Sequence, residues 1–333
     1  MKPFAYERPA TVREAVALVA DDPEAVYLAG GTNLYDHLKL GIARPRLLVD
    51  VTGLPLDGVE ALLGGGLRIG ANVRNADLAA HPEVRARWPV VSQALLVTGS
   101  AQLRNMATLG GNLLQRTRCP YFQDPETPCN KREPGSGCSA LAGRTGHGAV
   151  LGASDDCVAV HPSDLAVALC AVDAVACVVG RTGRPRRIPL TGLYRPPGAH
   201  PERDTVLEHG DLLTAVEVPP LPTAARSRYR KVGDRASFAF ALVSVAVVLD
   251  LDGDAVRDVR IAFGGLGTTP WRAVRAEAVL RGGPATAQRF ASAAHEELAA
   301  ARPVPENAYR IPLARDTLVA VLRGLCAAGG STG

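Results

Sequence analysis

Cys119, Cys129, Cys138 and Cys157 form the group of residues whose type and placement most invite chemistry. They are separated by nine, eight and eighteen residues, and no cysteine precedes them. This is not the zinc-finger pattern, which pairs cysteines two to four apart. Nor is it the C-x2-C-x2-C run of a bacterial ferredoxin. The quartet sits in a segment, 115–158, that holds Pro120, Pro125, Pro128, Pro134, Gly135, Gly137 and Gly143 and shows no periodicity. Such a segment has no hydrophobic core of its own, and a metal centre would give it a reason to order. Scattered buried thiols and a structural zinc are the alternatives that spacing leaves open. Arg116, Arg118, Lys131 and Arg132 stand ready to offset the charge of four thiolates. Cys170, Cys177 and Cys326 lie in apolar stretches and read as small buried side chains. Seven cysteines in 333 residues do not make a disulfide scaffold.

Two glycine turns form the second candidate. Leu28-Ala29-Gly30-Gly31-Thr32-Asn33 stands where a strand meets a helix, and Ala107-Thr108-Leu109-Gly110-Gly111-Asn112 repeats its logic. Adjacent glycines let backbone N–H groups turn toward one concavity, which suits a pyrophosphate. Either turn alone is an ordinary tight turn. Two of them in one domain point to a dinucleotide held between them. His161, in His-Pro-Ser-Asp, has no partner for catalysis and reads as a helix-entry residue.

The elements that position these residues follow from periodicity. Thr11 and Glu14 have capping-box spacing and open a helix to residue 21. A strand at 25–28, the first glycine turn, a helix through Leu40 and a strand at 46–51 form one unit. A hairpin flanks Gly64-Gly65-Gly66, and 75–106 is mainly helical with breaks at Pro82 and Pro89. After the cysteine segment come a helix at 163–172, capped by Ser163, and strands at 174–179 and 186–189. A Pro-rich connection at 191–210 leads to strands at 212–218 and 228–232. A long hairpin, 241–250 with 256–263, turns at Asp252-Gly253-Asp254. Helices at 271–281, 285–301 and 313–327 close the chain. The reading is α+β: a larger N-terminal portion, 1–220, then a sheet with helices over 221–333.

Composition narrows the function classes. A net charge of +4, with 47% apolar and 21% charged residues, gives no footprint for nucleic acid. No apolar run is long enough for membrane insertion, and Met1 to Glu7 show no signal pattern. A cytoplasmic protein is expected, with periplasmic export alongside a signal-bearing partner as the alternative. A G-x-G-x-x-G after a strand, a P-loop, H-E-x-x-H and G-x-S-x-G are all absent.

Four segments together resemble the FAD-binding medium subunit of the xanthine dehydrogenase and carbon monoxide dehydrogenase family, and the likeness runs over nearly the whole chain. Leu28 to Leu34 look like that family's first pyrophosphate loop, A-G-G-T-D/N-L. Thr108 to Asn112 look like its second, T-x-G-G-N. His161-Pro162-Ser163-Asp164-Leu165 is similar to its third signature, and Lys231 to Arg235 resemble its K-x-x-x-R stretch. The resemblance implies a two-part, PCMH-like FAD-binding domain followed by a C-terminal antiparallel sheet with helices. It implies FAD contacts from Leu28, Ala29, Gly30, Gly31, Thr32, Asn33 and Leu34, and from Thr108, Gly110, Gly111 and Asn112. Asp164 and Leu165 are implied at the sugar region and Lys231 near the flavin ring.

The segments around the four cysteines resemble the branch found in bacterial aldehyde oxidoreductase FAD subunits, where Cys119, Cys129, Cys138 and Cys157 would ligate a [4Fe-4S] cluster. Arg144-Thr145-Gly146-His147 departs from the Asn-Arg expected there. The implied function is electron transfer. A large subunit with a molybdenum cofactor oxidises the substrate, a small subunit with two [2Fe-2S] clusters passes the electrons on, and FAD delivers them to an external acceptor. No residue of this chain is assigned as a catalytic acid or base. A free-standing flavin oxidoreductase is the runner-up, and a zinc-bound scaffold without flavin the third reading.

Overall fold

In the computed structural model, residues 1–222 and 225–327 are described. The expected C-terminal segment, 221–333, therefore includes 223–224 and 328–333, which lie outside the described residues. Three sheets organise the chain. The first is parallel and three-stranded, with Leu47–Asp50 between Ala5–Glu7 and Ala25–Leu28. Two adjacent parallel strands need a crossover, and the helix Leu34–Leu40 supplies it. The first glycine turn thus sits at the carboxyl end of Ala25–Leu28. The strand Ala5–Glu7 was not foreseen. It is three exposed residues long, too short to show a period.

The second sheet has five antiparallel strands in the order Val59–Ala61, Leu67–Gly70, Leu212–Val218, Val175–Val179, Pro185–Pro189. Its central strand comes last in sequence, so the sheet closes only after the cysteine segment has been threaded across. The stretch expected to be mainly helical resolves into four short helices: Asn75–Ala80, Pro82–Arg87, Pro89–Leu96 and Ala101–Met106. Pro82 and Pro89 each start a helix, where a missing N–H costs nothing. Trp88, fully buried between them, donates from Nε1 to the Pro219 carbonyl.

The third sheet is antiparallel, ordered Trp271–Arg272, Ala255–Gly264, Val243–Asp252, Arg226–Val232. Its long hairpin is buried on both faces, which is why 243–249 reads as a nearly unbroken apolar run. Ala246, Val248 and Ala262 join the core made by the helices Pro89–Leu96 and Asp164–Ala171. Val243, Val245, Val247, Ile261 and Phe263 face Val274–Leu280, Ala287–Leu298 and Arg310–Ala327. No described helix is long and apolar enough to cross a membrane.

One buried carboxylate organises this second core. Glu297 accepts from Trp271 Nε1 at 2.8 Å and from the backbone N–H groups of Arg275 and Ala276 at 2.9 and 3.0 Å. It thereby satisfies donors at the start of Val274–Leu280 that the helix cannot satisfy itself. Glu297→Leu strands three donors, of which the Ala276 N–H is buried, so unfolding followed by tryptophan fluorescence in urea should report a loss of roughly 2 kcal/mol.

Candidate functional site

The first glycine turn has a conformation that glycine alone supports well. Gly31 has φ of +74°, in the left-handed region. Gly30 has no room for a side chain, because a Cβ there would strike the backbone carbonyl of Met106. That close approach brings the turn against the residue leading into the second glycine loop. Among the described residues, none of the N–H groups of Gly30, Gly31, Thr32, Asn33 and Leu34 finds an acceptor in the chain. Backbone donors left this way face water or a ligand.

The second loop is built differently. Its N–H groups are spent internally: Leu109 on the Val73 carbonyl, Gly110 on Ala71, Asn112 on Thr108, and Gly111 on Thr108 Oγ1. Gly110 also packs on the Ala71 methyl. One loop offers donors, while the other offers a small, satisfied wall.

A cavity of about 1100 Å³ opens between them. Thr32, Asn33, Gly111, Asn112, Asp164 and Lys231, all singled out from the sequence, line it together with Cys119. Leu28 and Leu165 do not, since their side chains lie in the core. Gly30 and Gly31 shape the turn rather than the lining. Ala29, Leu34, Thr108 and Gly110 also stand behind the surface.

Asp164, near the cavity floor, is held from three directions. Lys231 Nζ lies 2.7 Å from Oδ2, the Tyr229 hydroxyl donates to Oδ1 at 2.6 Å, and Thr98 Oγ1 is 3.2 Å from Oδ2. Burial, reinforced by Asp164, pushes the Tyr229 phenol well above its ordinary value, so it remains a donor. Tyr229 was missed in the sequence. The signal was its place two residues before Lys231, which puts both on one face of a strand. His161 is half-buried and borders the same cavity. Burial lowers its pKa to about 4, and its ring meets Tyr194 edge-on at 4.5 Å. It is neutral, and Nδ1 accepts from the Ser163 N–H at the helix entry.

Asn33 links the cavity to the cysteine segment. Rather than capping its helix, it accepts from the Arg116 N–H at 2.9 Å. The Arg118 guanidinium meets Asp36 at 3.0 Å and lies over the Phe240 ring. Polar groups brace the segment itself in place of a core. Arg132 donates to the carbonyls of Tyr121, Phe122 and Thr127. Lys131, nearly buried, donates to Pro201 O and Asp204 at 2.6 Å each. Burial opposes ionisation of Asp204, but Arg116 and Lys131 outweigh it and hold its carboxyl below the usual range.

The four cysteines lie in and beside this braced segment. Cys129 and Cys138 pair across an isolated antiparallel bridge. Burial raises the Cys119 thiol, and Cys129 and Cys138 add to the rise. Burial also pushes Cys157 up to about 11, with Lys131 opposing and Cys138 and Cys119 reinforcing. Buried thiols of this kind are poor nucleophiles. Among the described residues, no three His, Cys, Asp or Glu side chains converge as a single metal ion requires.

Comparison with known proteins accords with this layout. Residues 2–221 match the family described as the FAD binding domain in molybdopterin dehydrogenase, and residues 228–325 match the CO dehydrogenase flavoprotein C-terminal domain. The chain is similar to the aldehyde oxidoreductase FAD-binding subunit PaoB of Escherichia coli (strain K12), at 50% identity over 97% of this chain and 98% of that one. It is 28% identical to the carbon monoxide dehydrogenase medium chain of Hydrogenophaga pseudoflava, over 91% of this chain and 88% of that one. A solved structure of carbon monoxide dehydrogenase from the same organism, lacking the Mo-pyranopterin moiety of its cofactor, is similar with a TM-score of 0.77 at 26% identity, covering 98% and 99% of the two chains.

A methyl at Gly30 must displace the Met106 carbonyl and narrow the gap between the loops. Gly30→Ala should therefore yield folded protein that binds FAD about tenfold more weakly or worse in a fluorescence titration, since about 1.4 kcal/mol or more of binding is lost.

Proposed function

The chain belongs to the family of FAD-binding subunits of molybdopterin dehydrogenases, and we propose that it relays electrons within a complex that oxidises an aldehyde. In this reading a large subunit with a molybdenum cofactor carries the substrate chemistry. A small subunit with two [2Fe-2S] clusters hands the electrons to this chain, which passes them to an external acceptor. The aldehyde is suggested by the name of the relative at 50% identity. The observation that carries the relay is the shared wall: Cys119 and the flavin-side residues Thr32, Asn33, Asp164 and Lys231 border one cavity.

FAD, when bound, supplies an acceptor that takes electrons singly and releases them as a pair. The residues of this chain do the rest. The unanswered N–H groups of Thr32 and Asn33, which line the cavity, hold pyrophosphate oxygens on a turn shaped by Gly30 and Gly31, and Gly111 and Asn112 close the opposite side. Lys231 sets a positive charge near the ring, kept in place by Asp164 and Tyr229. The cavity's buried titratable groups are already committed. Asp164 is paired to Lys231, and His161 is locked neutral. Neither of these two groups is poised as a general base, which favours the relay over a free-standing flavin oxidoreductase.

We further propose that Cys119, Cys129, Cys138 and Cys157 hold a [4Fe-4S] cluster. Two features support it: the pairing of Cys129 with Cys138 inside a polar-braced loop, and the charge of Lys131 acting on Cys157. Ligation must displace protons from the thiols, against the burial that raises Cys119 and Cys157. Anaerobically purified protein should contain about four iron atoms per FAD. Cys129→Ser should lose the iron while retaining FAD. Flavin without iron in the wild type would remove the cluster and leave the FAD assignment standing.

Lys231 offers a separate check. Lys231→Met deletes the cation and leaves the Asp164 carboxylate buried beside the ring. The bound flavin should become harder to reduce, with a more negative midpoint in a dye-coupled titration. An unchanged midpoint would place Lys231 away from the ring.

A further inference from the structure

Asn75, the first residue of the helix Asn75–Ala80, is completely buried, yet among the described residues neither its Nδ2 nor its Oδ1 has a partner. It belongs to the wall of the large cavity. The other amides nearby are committed within the chain. Asn33 is engaged by His37 and Arg116, and Asn112 accepts from Ser163 and Gln115. Asn72, three residues earlier and also buried, donates to the carbonyls of Val51 and Leu54. Asn75 alone among these has both amide atoms free. Leaving such a group unanswered in the interior is expensive, and a leucine of similar size would serve a purely structural position better.

Its location adds a second line of argument. The Asn75 N–H donates to the Ala107 carbonyl at 2.9 Å, which fixes the residue against the second glycine loop. Met106, next to Ala107, is the residue that Gly30 abuts. Asn75 therefore lies where the donor-rich first turn and the satisfied second loop come together.

We propose that Asn75 is a cofactor-binding residue, its carboxamide donating through Nδ2 and accepting through Oδ1 to a donor–acceptor pair on the bound dinucleotide. Adenine and isoalloxazine edges both present such a pair. The inference rests on the FAD reading above. It assigns a hydrogen-bonding role to a residue outside the glycine turns, Asp164 and Lys231.

The test uses the full chain stripped of flavin and titrated with FAD by fluorescence quenching. Asn75→Leu should weaken FAD binding on the order of tenfold or more, since two hydrogen bonds are lost. The flavin-free variant should melt at the wild-type temperature or above, because an unpaired buried amide has been removed, and FAD should raise its melting point less. Competition with ADP and with FMN assigns the contact to one half of the dinucleotide. Should the leucine variant not fold, Asn75→Ala carries the same affinity prediction. Wild-type FAD affinity in either variant overturns the proposal. So does a flavin-free Asn75→Leu protein that melts well below wild type while keeping its FAD-induced shift, because the amide then serves the fold. Failure of the wild-type chain to bind FAD would instead sink the underlying reading.

Discussion

Five consecutive backbone N–H groups, from Gly30 to Leu34, have no acceptor within the described chain, and the architecture around them follows from that fact. A buried backbone donor must be answered from somewhere. Here the answer comes from outside the described chain, from water or a ligand. The parallel strand pair and its crossover helix hold the turn open, and Gly30 lets it press against the Met106 carbonyl. The second loop is internally satisfied, so it does not compete for the same ligand atoms. Asn75 adds an unanswered amide at the same junction.

The cysteine segment solves a different problem with different means. It has too few apolar residues to order itself, so charged and polar side chains tie it to its surroundings. Arg132 closes three of its own carbonyls, Lys131 reaches Pro201 and Asp204, and Arg116 reaches Asp204 as well. Lys131 also lies near enough to Cys157 to oppose the rise of its thiol pKa. Scaffold and counter-charge meet there, so a substitution at Lys131 alters both at once.

Much of this was legible in the chain itself. The strand–turn–helix–strand unit, the hairpin at 243–264 and the closing helices follow from periodicity, because their apolar faces repeat. The glycine turns and the cysteine quartet were visible as types and spacings. Other features left no local trace. Ala5–Glu7 is too short and too exposed to show a pattern. That the second loop spends its N–H groups internally depends on Val73 and Ala71, distant in sequence. Asn75 looks like any helix-opening asparagine, and only its lack of partners sets it apart. Tyr229 shows itself only once Lys231 is known to face Asp164.

The hairpin buried on both faces has a consequence for biogenesis. Ala246, Val248 and Ala262 complete a core begun by the helices near residues 90 and 165, and Lys231, from the neighbouring strand, completes the cavity wall. A nascent chain that has emerged only through the five-stranded sheet therefore presents an unfinished apolar surface and an unfinished cofactor site. Domains that can close alone fold as they leave the ribosome. This one cannot finish its N-terminal core until the last third has been made, so flavin loading waits for the end of synthesis and an early truncation becomes a substrate for chaperones and proteases.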